Sequence, residues 1–355
     1  MMSDQDYELF EVASNAFSDD ELINRGLSIA RNTVNSLLKS LKQPPPVGVR
    51  VYGYADQQVN AMAIKTNGTD GIYKIALSTA ALTHIFHWYA MWFKSPNMKA
   101  LFRNKQYSYD ILTKKLYAYS MAYITSHEFF HIMNGHCDVP ENREHFVSEK
   151  IDVHCEEQHF FNQVLEFDAD RAAVKSCTYG LLSMKNTYTN LFREIGLLSF
   201  ALYNVFLIFQ NESKMGFDDY IKHVFYIKDH PYDGIRFSYS FASILDVLLQ
   251  IFQQQIVVDH FAIPTVETFV TFEKQVLGVS EVKNCLFSAS FTDQGVQHTM
   301  NLNNAWNDIA EKLRPYAYVP LAKGEYISEM YTFMDNSGHF YKAPEEETQD
   351  DNLTE

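Results

Sequence analysis

The segment from Lys114 to Asn134, KKLYAYSMAYITSHEFFHIMN, has the length and apolar content of a buried helix, yet it carries His127, Glu128 and His131. Burying three ionisable side chains without partners is costly. A fold for this chain therefore has to bring compensating groups to that helix. Positions i and i+4 share a helix face about 6 Å apart, so both imidazoles can turn a nitrogen towards one point. Glu128 is rotated by about 100° from His127 and reaches the side of that point. Two His at this spacing with an intervening Glu are the ligand-and-base pattern of a zinc site. The rival explanation is coincidence: with 13 His in the chain, such a pattern arises by chance in roughly a few per cent of comparable sequences. Gly135 is placed to end the helix.

A catalytic zinc needs a third protein ligand and an open fourth position. The stretch VLEFDADRAAV, starting at Val164, again spaces two acids i and i+4, Glu166 and Asp170. Glu166 can give a carboxylate oxygen to the same ion. Asp170 can accept the second ring N–H of a ligand imidazole, His127 being the expected one, which fixes its tautomer. The alternative is a solvated acidic face, but Val164, Leu165, Ala169, Ala172 and Ala173 favour a helix packed closely on another. His136, His145, His154, His159, Cys137 and Cys155 lie between the two motifs. Their two His-Cys pairs fit no usual thiolate spacing, so residues 136–158 read as a polar connecting loop.

The rest of the chain organises around these segments. Residues 5–42 carry helical periodicity, stopped by KQPPPVG. VGVRVYGY, QQVNAMAI and IYKIAL then read as three extended pieces, with NGTDG as a turn. From Ser78 onward the pattern is helical, Ser78 or Thr79 capping the first helix. Further helices are expected over about 155–180, 186–212, 216–228, 235–256, 265–276 and 303–313. The fold class is α+β, mainly helical, with a small N-terminal sheet and an extra C-terminal helical region. The expected division is an N-terminal helical extension (1–45), a zinc-site domain (46–240), a mostly helical region (241–343) and a disordered acidic tail (344–355).

A formal charge of −15 repels phosphate backbones, so no nucleic-acid partner is expected. Four cysteines in 355 residues are no disulfide framework. The N-terminus lacks a basic then apolar secretory pattern. The run IGLLSFALYNVFLIF, residues 195–209, is short for a membrane span and contains Asn204, so a buried helix is the better reading. A cytoplasmic location without a membrane partner is expected.

HEFFH followed by EFDADRAA resembles the gluzincin zinc peptidases, and within them the CAAX prenyl protease and HtpX-like group. Two more segments agree. DHPYDGIRF supplies the His-Pro pair and an Arg six residues on, as His230, Pro231 and Arg236. VNAMAI, a turn and IYKIAL repeat the order of an edge strand and its neighbour. The resemblance covers about residues 47–240. It implies a zincin-like fold, one Zn2+ per chain and cleavage of a protein or peptide substrate. It implies His127, His131 and Glu166 as ligands, Glu128 as general base, His230 as oxyanion donor and Arg236 as holding site geometry. Asn60, Ala61, Met62 and Ala63 would be the strand along which substrate adds by backbone pairing. Many members have membrane spans or export signals, and none is clear here. A soluble cytosolic relative, the phage-exclusion peptidase that cuts a host translation factor, is similar in kind. The non-enzymatic alternative is a zinc-stabilised module that binds a partner.

Overall fold

The computed structural model describes residues 9–10, 21–43, 45–66, 71–102, 107–139, 154–184, 188–213, 216–223 and 228–322. The first strand, β1, is only Leu9–Phe10. Of the helical stretch expected over 5–42, α1 covers Glu21–Ser40; Leu9–Phe10 is strand instead, and residues 5–8 and 11–20 lie outside the described residues. Its buried Ile23, Leu27, Ala30, Val34 and Leu37 recur every three or four residues, the stripe of a helix packed on one face.

The three extended pieces form β2 (Gly48–Tyr54), β3 (Ala61–Lys65) and β4 (Ile72–Ser78). The sheet order is β1-β2-β4-β3. β2 and β4 run parallel with Val51 opposite Ile75, and β3 is antiparallel to β4 with Ala63 opposite Ile75. β3 is therefore an edge strand. Ser78 N donates to Asn60 O at 3.0 Å and Thr66 N to Ile72 O at 3.2 Å. Backbone direction alternates along an antiparallel ladder. Met62 and Ile64 thus turn their N–H and C=O groups to β4, and Ala61 and Ala63 turn theirs to the open edge. Residues 67–70 of the expected turn, and the acidic tail 344–355, lie outside the described residues.

Helices follow: α2 (Thr79–Trp92), α3 (Pro96–Leu101), α4 (Tyr109–Met133), α5 (His154–Leu182), α6 (Tyr188–Ser213), α7 (Phe217–His223), α8 (Asp233–Leu249), α9 (Gln254–Val257), α10 (Ile263–Phe272) and α11 (Asp293–Leu313). Ser78 caps α2, its Oγ accepting from Ala81 N at 2.9 Å. Several expected bounds shift. The segment read as one helix over 235–256 breaks after Leu249 and resumes as α9. The helix expected at 303–313 starts ten residues earlier, where Thr292 Oγ1 accepts from Gly295 N at 3.1 Å. Polar residues at Asp293, Gln294 and Gln297 hid its first turns.

α4 lies at the centre, packed against α1, α2, α5, α6 and β3. α6 is apolar enough by length and composition to cross a membrane, yet 89% of its most apolar window lies inside the protein. Asn204 within it is satisfied, donating to Phe200 O and accepting from Trp88 Nε1, both at 2.8 Å. The helices after residue 240 share these cores. Phe261, Phe269 and Phe272 join a cluster with Leu27 and Tyr89; Trp306 and Leu313 join one with Phe161 and Phe167.

Candidate active site

Ala169 and Ala173 of α5 are fully buried. α4 packs directly against α5. This sets Glu166 beside the two histidines of α4. His127 Nε2 and His131 Nε2 are 3.0 Å apart. Glu166 Oε2 is 3.3 Å from His127 Nε2, and Glu166 Oε1 is 3.2 Å from His131 Nε2. Among the described residues this is the group of His, Cys, Asp or Glu side chains able to hold a metal ion.

The triangle fits zinc. Ligand atoms at about 2.0–2.2 Å in tetrahedral directions lie roughly 3.3 Å from one another; the two imidazole nitrogens are 3.0 Å apart and each meets a different Glu166 oxygen at 3.3 and 3.2 Å, with one donor atom per residue within 4.8 Å of the others. Electrostatics point the same way. Burial disfavours a charged His127, but Asp170 and Glu166 outweigh it and raise its pKa to about 10. Burial likewise opposes ionisation of Glu166, yet His230, His131 and His127 hold its carboxyl well below the usual range. The arrangement favours positive charge among these atoms.

Asp170 is the hub behind the triangle. It is fully buried, with Oδ1 2.7 Å from His127 Nδ1. Tyr123 and Tyr239 donate to it through their hydroxyls at 2.6 and 2.7 Å. Arg236 donates through Nε and Nη2 at 2.8 and 2.9 Å, and its Nη2 also reaches Glu166 Oε2 at 3.1 Å. The guanidinium lies over the Phe206 ring.

Glu128 lines a cleft of about 270 Å³ with His127, Glu166, Asn60, Ala61 and His230. Burial pushes its carboxyl up, against the pull of His127 and His131. His230 stands at the cleft mouth, its side chain 59% exposed and its Nε2 3.5 Å from Glu166 Oε2. Tyr220, Tyr232 and Asp233 line the same cleft. Asn60 and Ala61 border the cleft, and Met62 and Ala63 continue β3 beyond it. Val59, just before β3, is pinned by Glu212 on α6, whose carboxylate accepts its N–H at 3.1 Å.

Sequence reasoning passed over four neighbours of this site. Tyr123 stands one helical turn before His127, and Tyr239 three residues after Arg236; both positions follow from helix spacing. Asp168 was only a filler in EFDAD. His136 is not in the polar loop expected over 136–158: it is 4% exposed, in a 3-10 turn over His136–Asp138, with Nδ1 3.0 Å from His131 Nδ1, while residues 140–153 lie outside the described residues.

Residues 55–220 match the family model Peptidase U49. The match supports a peptidase. It spans just under half of the chain, from β2's end to α7, and includes His127, Glu128, His131, Glu166 and Asp170 but neither His230 nor Arg236. No curated protein and no solved structure matches the chain.

Proposed function

We propose that this chain is a zinc-dependent endopeptidase of the gluzincin kind, acting in the cytoplasm on a protein or peptide substrate. The observation that carries this reading is the triangle of His127, His131 and Glu166 ligand atoms beside Glu128 in an open cleft. Bound zinc would supply Lewis acidity and a water of pKa near about 7.

The side chains would do the rest. Glu128 takes the proton of the attacking water and hands it to the leaving amine. Its raised carboxyl suits a group that must hold that proton briefly. Asp170 holds His127 by its Nδ1, and Arg236 spans Asp170 and Glu166, so one guanidinium keeps ligand and support in register. His230, at the cleft mouth, can donate to a developing oxyanion. Ala61 offers its outward N–H and C=O, and Ala63 its outward N–H, to an extended substrate backbone; the Ala63 C=O accepts from Cys137 Sγ at 3.9 Å. A partner-binding module without catalysis has no use for Glu128 beside the ligands in an accessible cleft.

The test compares wild type with Glu128→Gln in a proteome-wide search for new N-termini. The variant should bind zinc as wild type does and generate new termini at a rate lower by orders of magnitude. Equal cleavage by both proteins would contradict the assignment.

A further inference from the structure

Asp170 reaches only one of the two imidazoles in the triangle. The other, His131, turns its Nδ1 to the turn after α4. There it meets His136 Nδ1 at 3.0 Å. His136 Nε2 in turn lies 3.3 Å from Asp168 Oδ2, an ion-pair distance short of hydrogen-bond geometry, and Asn134 Nδ2 donates to that same oxygen.

One proton placement makes sense of all three contacts. If His131 offers its Nε2 lone pair to a metal, its proton sits on Nδ1. His136 Nδ1 must then be an acceptor, which leaves the His136 proton on Nε2, 3.3 Å from the Asp168 carboxylate. Asn134 satisfies a further lone pair of Asp168. No other neutral tautomer of His136 gives both of its nitrogens a complementary partner.

The turn is held rigidly enough to aim a ring. Gly135 has φ +83°, and a Cβ there would lie 2.6 Å from the Tyr316 backbone. Tyr318 N donates to Met133 O at 2.7 Å. The edge of the Trp306 ring system packs on the His136 ring, centroids 6.3 Å apart. α11 and the segment after it therefore clamp the residue.

We propose that His136, backed by Asp168, is a positioning residue that fixes the tautomer and direction of His131 as a metal ligand. The site would then have two unlike supports, a carboxylate on His127 and a histidine–carboxylate relay on His131. This rests on the zinc reading, with His131 as a ligand.

The experiment measures zinc dissociation constants by competition with a chromophoric chelator, for wild type, His131→Ala, His136→Leu and His136→Asn. Asparagine can keep an acceptor oxygen near the Nδ1 position; leucine cannot. Loss of such a support typically weakens metal binding about 10–100-fold. We expect that loss for His136→Leu and an affinity near wild type for His136→Asn. Wild-type affinity in His136→Leu overturns the proposal, and equal weakening in both variants does so too, since that is a packing effect. If wild type binds one zinc, His131→Ala binds none and His136→Leu is unchanged, only this proposal fails. A wild-type chain without zinc affinity removes both it and the reading beneath it. Nitrogen-15 histidine NMR of the zinc-loaded wild type needs no variant to fold. His131 should be protonated on Nδ1 and His136 on Nε2; the opposite tautomer of His136 overturns the relay.

Discussion

Replacing Asp170 with Asn keeps its shape and removes its charge. In the native protein that carboxylate takes donors from Tyr123, Tyr239 and both Nε and Nη2 of Arg236, and lies 2.7 Å from His127 Nδ1. It is fully buried, and Arg236 is 5% exposed. In Asp170→Asn the guanidinium keeps Glu166 as its only carboxylate and one amide oxygen as a neutral acceptor, and the amide N–H groups confront donors. Breaking one partner of a buried ion pair costs about 3–5 kcal/mol, out of a total stability of about 5–15 kcal/mol. Urea unfolding of the metal-free proteins, followed by circular dichroism, should show that loss. The double variant Asp170→Leu, Arg236→Met removes both charges. It should recover much of the loss, though Tyr123 and Tyr239 each lose an acceptor, so recovery stays incomplete. Zinc affinity should remain about 10–100-fold weaker in the double variant, because His127 Nδ1 still lacks its partner. If Asp170→Asn unfolds within about 1 kcal/mol of wild type, the hub argument is wrong.

Glu273 tests burial away from the site. Burial raises its pKa from 4.5 to about 7, against the pull of the Leu286 N–H at 2.9 Å. Its folded pKa exceeds its unfolded one, so the fold holds the extra proton between those values, and stability falls as pH rises from about 4.5 to about 7. Glu273→Gln should therefore match wild type near pH 4.5 and be more stable at pH 8 by on the order of 3 kcal/mol, read from denaturation midpoints at the two pH values. On β3, Ala63→Pro removes an outward N–H and should leave the sheet folded while lowering kcat/KM, whereas Met62→Pro removes a ladder donor and should lower Tm. Equal effects of the two prolines on Tm would show that the register is misread.

The site was legible where a helix supplies both partners of a spacing. His127 with His131, and Glu166 with Asp170, are each one turn apart, and helix geometry alone puts each pair on one face. The packing of α5 on another helix was expected from residues such as Ala169 and Ala173, both buried. His136 was not legible, because it sits past a helix end, where no periodicity says which way a side chain points. Its direction depends on Gly135 and on the chain near Tyr316, some 180 residues later. α11 was blurred for a similar reason: its first turns expose polar side chains, and only Leu302, Trp306, Ile309 and Leu313 on the buried face reveal the helix. The sheet was legible from β-branched runs, but the outward direction of Ala61 and Ala63 needed the register with β4.

The central claim is that His127, His131 and Glu166 together hold one divalent cation. Its most direct test is an anomalous difference map at the zinc edge from crystals grown with zinc. A single strong peak is expected about 2.0–2.2 Å from His127 Nε2, His131 Nε2 and a Glu166 carboxylate oxygen. Crystals that diffract well and show no peak there, or show the strong peak at other residues, contradict it.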